Sequence, residues 1–132
     1  MCLFITVAPC SADFNRTQVK RVLKAASVLS AFPDERKDGS VYFLANDRHC
    51  ACDLGEAAGH SQSGPILLKA AAARALSSVA QALVAAGVEP FVLRVFWAGS
   101  PEDGRHELSL SEFVALATSR TFDPEVAYVI SS

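Results

Sequence analysis

The sequence predicts an α/β (α+β) fold in one compact layer domain, residues 1–132, with helices packed on a mixed sheet. Short apolar, β-branched segments alternate along the chain with longer segments whose apolar residues recur at helical spacing. The length of 132 residues suits a single core, and no evident linker divides the chain. The expected order of elements is therefore β-α-β-α-β-β-α-β.

Each element is assigned from its periodicity and its boundary residues. Strands are expected at 2–9, 41–45, 91–98, 106–110 and 126–130, and helices at 11–32, 65–86 and 110–119. Pro65 suits the first turn of the second helix and Gly87 its C-terminal end, because proline fits a first helical turn and glycine a left-handed cap. Ser109 and Glu112 form a capping-box pattern that opens the third helix.

Three connecting segments carry further expectations. The charged residues 33–40 predict a surface turn, and 99–105 ("GSPEDGR") predicts a hairpin turn between the third and fourth strands. The Gly- and Ser-rich residues 55–65 predict a flexible loop of a length that is more often functional than incidental.

Charge and hydropathy exclude several classes of function. The formal net charge is −2, and the basic cluster of Lys20, Arg21 and Lys24, with Arg16 before it, fits a solvated helix stripe, so we expect no nucleic-acid binding. No segment is long and apolar enough to span a bilayer, so we expect no membrane partner. The first residues lack a basic region before their apolar run, which predicts a cytoplasmic protein.

The segment "NDRHCACDLG" places His49, Cys50 and Cys52 within four positions. Zinc takes tetrahedral Cys and His ligands, and these three residues would need a fourth from elsewhere in the chain. If the first two strands run parallel, Cys10 comes near the segment; if they run antiparallel, Cys2 does. The sequence thus suggests a metal site of Cys2, His49, Cys50 and Cys52, with Cys10 as the alternative fourth ligand.

Two other interpretations of these cysteines stay open. A Cys-x-Cys pair can form a small strained disulfide and serve thiol redox chemistry, provided that the thiol pKa is lowered. Free cysteines are also among the most buried residue types and often only fill space in a core. Zinc is therefore the one cofactor to consider, and no catalytic residue is assigned.

Three motifs together resemble a family of small uncharacterised bacterial proteins: the opening Met1-Cys2, the central "HCACD", and the later "AAGVEPFVLRVFWAG". That family begins Met-Cys, has a central Cys-Asp-Cys-Gly, and has a later segment with Gly, His-Trp and Gly. This chain carries Ala51 and Asp53 where the family has Asp and Gly, and Phe96 where it has His. The resemblance implies that Cys2, Cys50 and Cys52 lie together in space.

Trp97, Glu102 and Asp103 are the candidate partner contacts, although Trp97 fits a place in the core equally well. Tryptophan is enriched at interface hot spots, and an acidic turn attracts a basic partner electrostatically. Small acidic bacterial domains without a catalytic motif often bind another protein, for example as immunity proteins that neutralise a toxin. We therefore expect a non-enzymatic, cytoplasmic, partner-binding protein; the alternative is a metal-binding or thiol-redox protein built on the cysteines. The sequence does not predict the oligomeric state.

Overall fold

The computed structural model describes residues 3–10, 16–25, 34–35, 41–43, 54–56 and 64–132. Within these ranges the chain forms eight strands and three helices. In chain order they are β1 (Leu3–Pro9), α1 (Arg16–Ala25), β2 (Asp34–Glu35), β3 (Val41–Phe43), β4 (Ile66–Leu67), α2 (Ala70–Ala85), β5 (Phe91–Trp97), β6 (Gly104–Ser109), α3 (Leu110–Ser119), β7 (Thr121–Phe122) and β8 (Val126–Ser131). The α+β class and the predicted order of the main elements are confirmed.

The main sheet is mixed, as the sequence predicts. Its strands lie in the order β2-β3-β1-β5-β8-β6. All neighbours are antiparallel except β6 and β8, which run parallel. A parallel pair needs a crossover connection, and α3 with β7 supplies it between these two strands. The short strands β4 and β7 form a separate antiparallel pair.

The two faces of the sheet have different surroundings. Ile5 and Val7 of β1 pair with Val95 and Leu93 of β5, and all four side chains are fully buried. They belong to one core cluster with the buried residues of all three helices. Side chains alternate along a strand, so the residues between them point to the opposite side, which we call the outer face. On the outer face lie Phe4, Thr6, Val92, Arg94, Phe96, Ala127 and Val129, followed on β6 by Arg105 and Glu107.

Small side chains let α2 pack closely in the core. Its buried residues are Ala72, Ala73, Ala75, Leu76, Val79, Ala80 and Leu83. The helix ends at Gly87 as predicted, because φ is +77° there and a left-handed backbone favours glycine. The amide of Val88 then donates to the carbonyl of Leu83 at 2.9 Å, which satisfies one of the last helical carbonyls.

The predicted start of the second helix is wrong. Ile66 and Leu67 do not form its first turn but pair with Phe122 and Thr121 of β7, and α2 begins only at Ala70. The pairing buries Ile66 to 1% exposure in the core. Tertiary burial of an apolar side chain here outweighs the helical preference of the local sequence.

The predicted hairpin between β5 and β6 is also wrong. β8 takes the position beside β5, with Phe91 opposite Ile130, so β6 pairs with the far side of β8. The connection at 98–103 therefore carries the chain past β8 rather than into a neighbouring strand. In the charged segment 33–40, the two residues of β2 form a short strand beside β3, which the sequence did not predict.

The predicted capping box of α3 is confirmed. The Ser109 hydroxyl accepts from the Glu112 amide at 3.2 Å, and the Glu112 carboxylate accepts from the Ser109 amide at 3.0 Å. These bonds lower the pKa of the Glu112 carboxyl, because they stabilise its ionised form. None of the helices that the structure describes is long and apolar enough to cross a membrane.

Candidate functional site

Most of the predicted metal ligands lie outside the residues that the structure describes. These are Cys2, His49, Cys50 and Cys52. In the described part of the chain, no group of three or more His, Cys, Asp or Glu side chains could hold a metal ion. The metal site, the thiol pair and simple packing of the cysteines therefore stay predictions.

The pairing of β1 with β3 bears on the two candidate fourth ligands, Cys2 and Cys10. The strands are antiparallel, with Ile5 opposite Phe43 and Val7 opposite Val41. The chain thus leaves β3 toward the N-terminal half of β1. Cys10 lies five positions beyond Ile5 in the other direction, about 16 Å along an extended chain. Antiparallel strands are the arrangement in which Cys2 rather than Cys10 is expected near the segment, and both ligand choices stay predictions because residues 44–53 lie outside the described part of the chain.

Cys10 is exposed and its thiol is not activated. Partial burial raises its pKa, and the positive charge of Arg105 only opposes that effect. A reactive cysteine needs the opposite shift, because the thiolate is the nucleophile and the metal ligand. The raised pKa disfavours the thiolate form of Cys10.

Trp97 does not supply the exposed aromatic anchor that the sequence suggested. It is 3% exposed and pairs across the sheet with Leu3. Position 97 shares the parity of Leu93 and Val95, so its indole points to the helix-covered side of β5. We correct the expectation: Trp97 is a core residue.

The acidic turn, residues 101–103, lies at the surface just before β6, and Glu102 and Asp103 are both exposed. Glu102 forms an ion pair of 3.5 Å with Arg105, but exposures of 39% and 58% mean that water screens the pair. The amide of Asp103 donates to the carbonyl of Glu125 at 2.8 Å, which anchors the turn to the start of β8. Their expected role as partner contacts stays a prediction.

Arg94 holds the connection that contains the acidic turn by hydrogen bonds to the backbone. One guanidinium nitrogen, Nη2, donates to the carbonyl of Ser100 at 2.8 Å and to that of Pro124 at 3.0 Å. The guanidinium carbon also lies 4.1 Å from the ring centroid of Phe96. The side chain thereby ties the connection after β5 to the connection before β8 and limits how far the acidic turn can move.

The edge strand β6 is the most distinctive surface in the described part of the chain. It stands at the end of the sheet and carries three consecutive exposed residues, Arg105, His106 and Glu107. Arg105 and Glu107 lie on the outer face. The His106 ring lies on the other side, 6.3 Å from the Tyr128 ring in an edge-to-face arrangement. Among the described residues, β8 alone pairs with β6.

A cleft adjoins the C-terminal end of this strand. Its volume is about 360 Å³, and its lining includes Glu107, Ser109, Val129 and Ser131. These four residues alternate along β6 and β8 on the outer face. The cleft therefore continues the β6 edge as an open recess with a mixed polar and apolar lining.

The chain matches no known family model, no curated protein and no solved structure. The resemblance drawn from the motifs of Cys2, Cys50 and Phe96 stays an expectation. The function must therefore be argued from the described residues themselves.

Sequence reasoning missed the contribution of β6 to the surface. A signal was present, because "RHE" places a cation and a carboxylate two residues apart on one strand face. The sequence did not indicate that β6 lies at the edge of the sheet, because the predicted hairpin placed it beside β5. The role of Arg94 had no sequence signal, because its two carbonyl partners are 6 and 30 residues away.

Proposed function

We propose that this chain is a non-enzymatic, cytoplasmic protein-binding module whose contact surface is β6 with the acidic turn before it. The observation that carries the proposal is the place of β6 at the end of the sheet, six residues long and exposed at Arg105, His106 and Glu107. An edge strand presents backbone N–H and C=O groups that another chain can pair with. Addition of an extended segment to such an edge is a common mode of protein recognition.

The chemistry around β6 supports a partner with an extended, charge-bearing segment. Glu102 and Asp103 favour basic side chains at one end of that segment, while Arg105 and Glu107 each favour the opposite charge beside them. Arg94 restrains the turn before binding, which lowers the entropy that binding must remove. Neutralising a toxin by covering its surface is one form of this function.

The test is affinity capture from a bacterial cell extract on the immobilised full chain, followed by quantitative mass spectrometry. The variant Glu102→Lys/Asp103→Lys reverses the acidic turn, and Ser78→Lys/Gln81→Lys is a control that adds two positive charges at exposed sites of α2. A protein partner captured by the natural chain and by the control is expected to be lost with the turn variant.

Hydrogen exchange then tests the strand itself. Adding the purified captured protein is expected to protect the amides of residues 104–109, because strand addition pairs the edge of β6 that no described strand pairs. Capture that is equal for all variants, or protection confined to other elements, would refute the proposal.

A second candidate function is the cysteine-centred one, with zinc or thiol redox chemistry at Cys2, His49, Cys50 and Cys52. The observation behind it is the antiparallel β1–β3 pairing, the arrangement in which Cys2, rather than Cys10, is expected near the Cys-x-Cys segment. The test is native and denaturing mass spectrometry of the aerobically purified protein with a free-thiol count. A mass excess of one zinc lost on denaturation supports the metal site, and two missing thiols support a disulfide. Four free thiols without metal would refute both.

A further inference from the structure

We infer that the partner of β6 is a second copy of this chain, paired antiparallel with the first about a two-fold axis at His106. The inference rests on the proposed use of β6 as a binding edge and names its occupant. In this register Arg105 of each copy lies opposite Glu107 of the other. The symmetry is closed, since each surface patch meets its own copy.

The argument starts from the spacing of the two charges. Arg105 and Glu107 are two positions apart, so both point to the outer face and flank the axis symmetrically. Antiparallel pairing centred between them therefore creates two identical cation–carboxylate pairs across the interface. Directly opposed charges of opposite sign stabilise a strand pair, whereas like charges destabilise it.

Other arrangements of the same edges lose this match. Parallel pairing in register places Arg105 opposite Arg105 of the second copy. An antiparallel register centred on Arg105 does the same. A register centred on Glu107 sets two carboxylates against each other. A shift by one residue places the charges on opposite faces and leaves them unmatched. The sequence of the edge thus selects one register.

The same register adds a second match. It brings Asp103 opposite Ser109 of the second copy, the residue that caps α3. A helix N-terminus carries a partial positive charge, so an acidic side chain is favourable there. The acidic turn of each copy would then lie beside the start of α3 in the other.

The interface is small. Five residues of β6 from each copy, 104–108, form the ladder, and the core faces stay covered by their own helices. An interface of this extent lies at the low end of specific interfaces, so we expect a reversible dimer that dissociates on dilution. Protective edge strands usually carry charges that repel a second copy. The charges of β6 instead attract one.

Sedimentation velocity of the purified full chain tests the inference, over a concentration series of about 1 to 500 µM at physiological salt. The mean mass is expected to rise from 14.0 kDa toward twice that value. Arg105→Glu and Glu107→Arg are each expected to raise the dissociation constant about tenfold or more, since each converts two attractive pairs into repulsive ones. The double variant restores opposite charges and is expected to recover dimerisation.

Arg74→Glu is the matched control, because it changes the net charge as Arg105→Glu does but on an exposed position of α2. It is expected to dimerise like the natural chain. A monomer at every concentration, single variants that dimerise normally, or a double variant that stays monomeric would overturn the inference. A monomer that still captures another protein through the acidic turn would leave the proposed function standing. If the chain neither dimerises nor captures a partner through the acidic turn, the inferred dimer and the proposed function are both refuted.

Discussion

Replacing Arg94 with methionine should destabilise the fold by about 2 kcal/mol. The substitution keeps an unbranched apolar stem of similar length but removes the donors to the carbonyls of Ser100 and Pro124, at 2.8 and 3.0 Å. Hydrogen bonds from a charged group contribute about 1.5–3 kcal/mol each when buried. Arg94 is only half-buried and both bonds use one nitrogen, so we take about 1.5 kcal/mol for the pair. The contact with Phe96 at 4.1 Å adds about 0.5 kcal/mol.

Urea unfolding followed by far-ultraviolet circular dichroism measures this loss as a lower midpoint at unchanged slope. Arg94→Lys should lose about 1 kcal/mol, because a lysine keeps the charge but is shorter and lacks the planar guanidinium that lies against Phe96. Arg74→Met on the exposed side of α2 is the control for removing an arginine. If Arg94→Met is no less stable than that control, the two carbonyl bonds do not anchor the turn and the reasoning is refuted.

Four further predictions concern caps, turns and one buried tyrosine. Ser109→Ala should cost about 1 kcal/mol by removing the acceptor of the 3.2 Å bond from the Glu112 amide. The capping bonds lower the pKa of Glu112, so the capping box should stabilise the folded state fully above the ordinary glutamate pKa. This stabilisation should be lost as pH falls through the lowered pKa, and urea unfolding at several pH values measures the loss. Gly87→Ala should cost about 1 kcal/mol because φ is +77° there, whereas Gly104→Ala, with no positive φ and no atom within 4 Å of the new Cβ, should be neutral in the same assay. Burial raises the pKa of Tyr128, so in an ultraviolet titration its phenol should ionise at a higher pH than free tyrosine. The contribution of the neutral Tyr128 to the stability of the fold should be lost as pH rises through the raised pKa.

Local signals explain which elements were predictable. The capping box of Ser109 and Glu112, the glycine that ends α2 and the proline that ends β1 act within a few residues, so their effects can be read from neighbouring letters. The apolar strands were predictable for the same reason, because their composition reports burial directly. These features placed the helices and strands and the α+β class before any contact was known.

The candidate site was less predictable because it depends on which strands become neighbours. Glu102 and Asp103 were expected at the surface from their charge alone, and they are exposed. Trp97 was expected near the surface as readily as in the core, since a single aromatic at a strand end fits both. Its side chain points to the same face of β5 as that of Leu93, and the helices cover this face, so Trp97 is buried in the core.

By itself, the sequence determined the class of the fold, the end of α2 and the cap of α3, because turn chemistry and periodicity act locally. Only the tertiary structure decided that Ile66 joins a strand and that β1 and β3 run antiparallel. It also decided that β8 separates β5 from β6. These choices depend on pairing energies between segments far apart in the chain, and no local pattern encodes them. The exposed β6 edge, on which the proposed function rests, is a product of that long-range pairing.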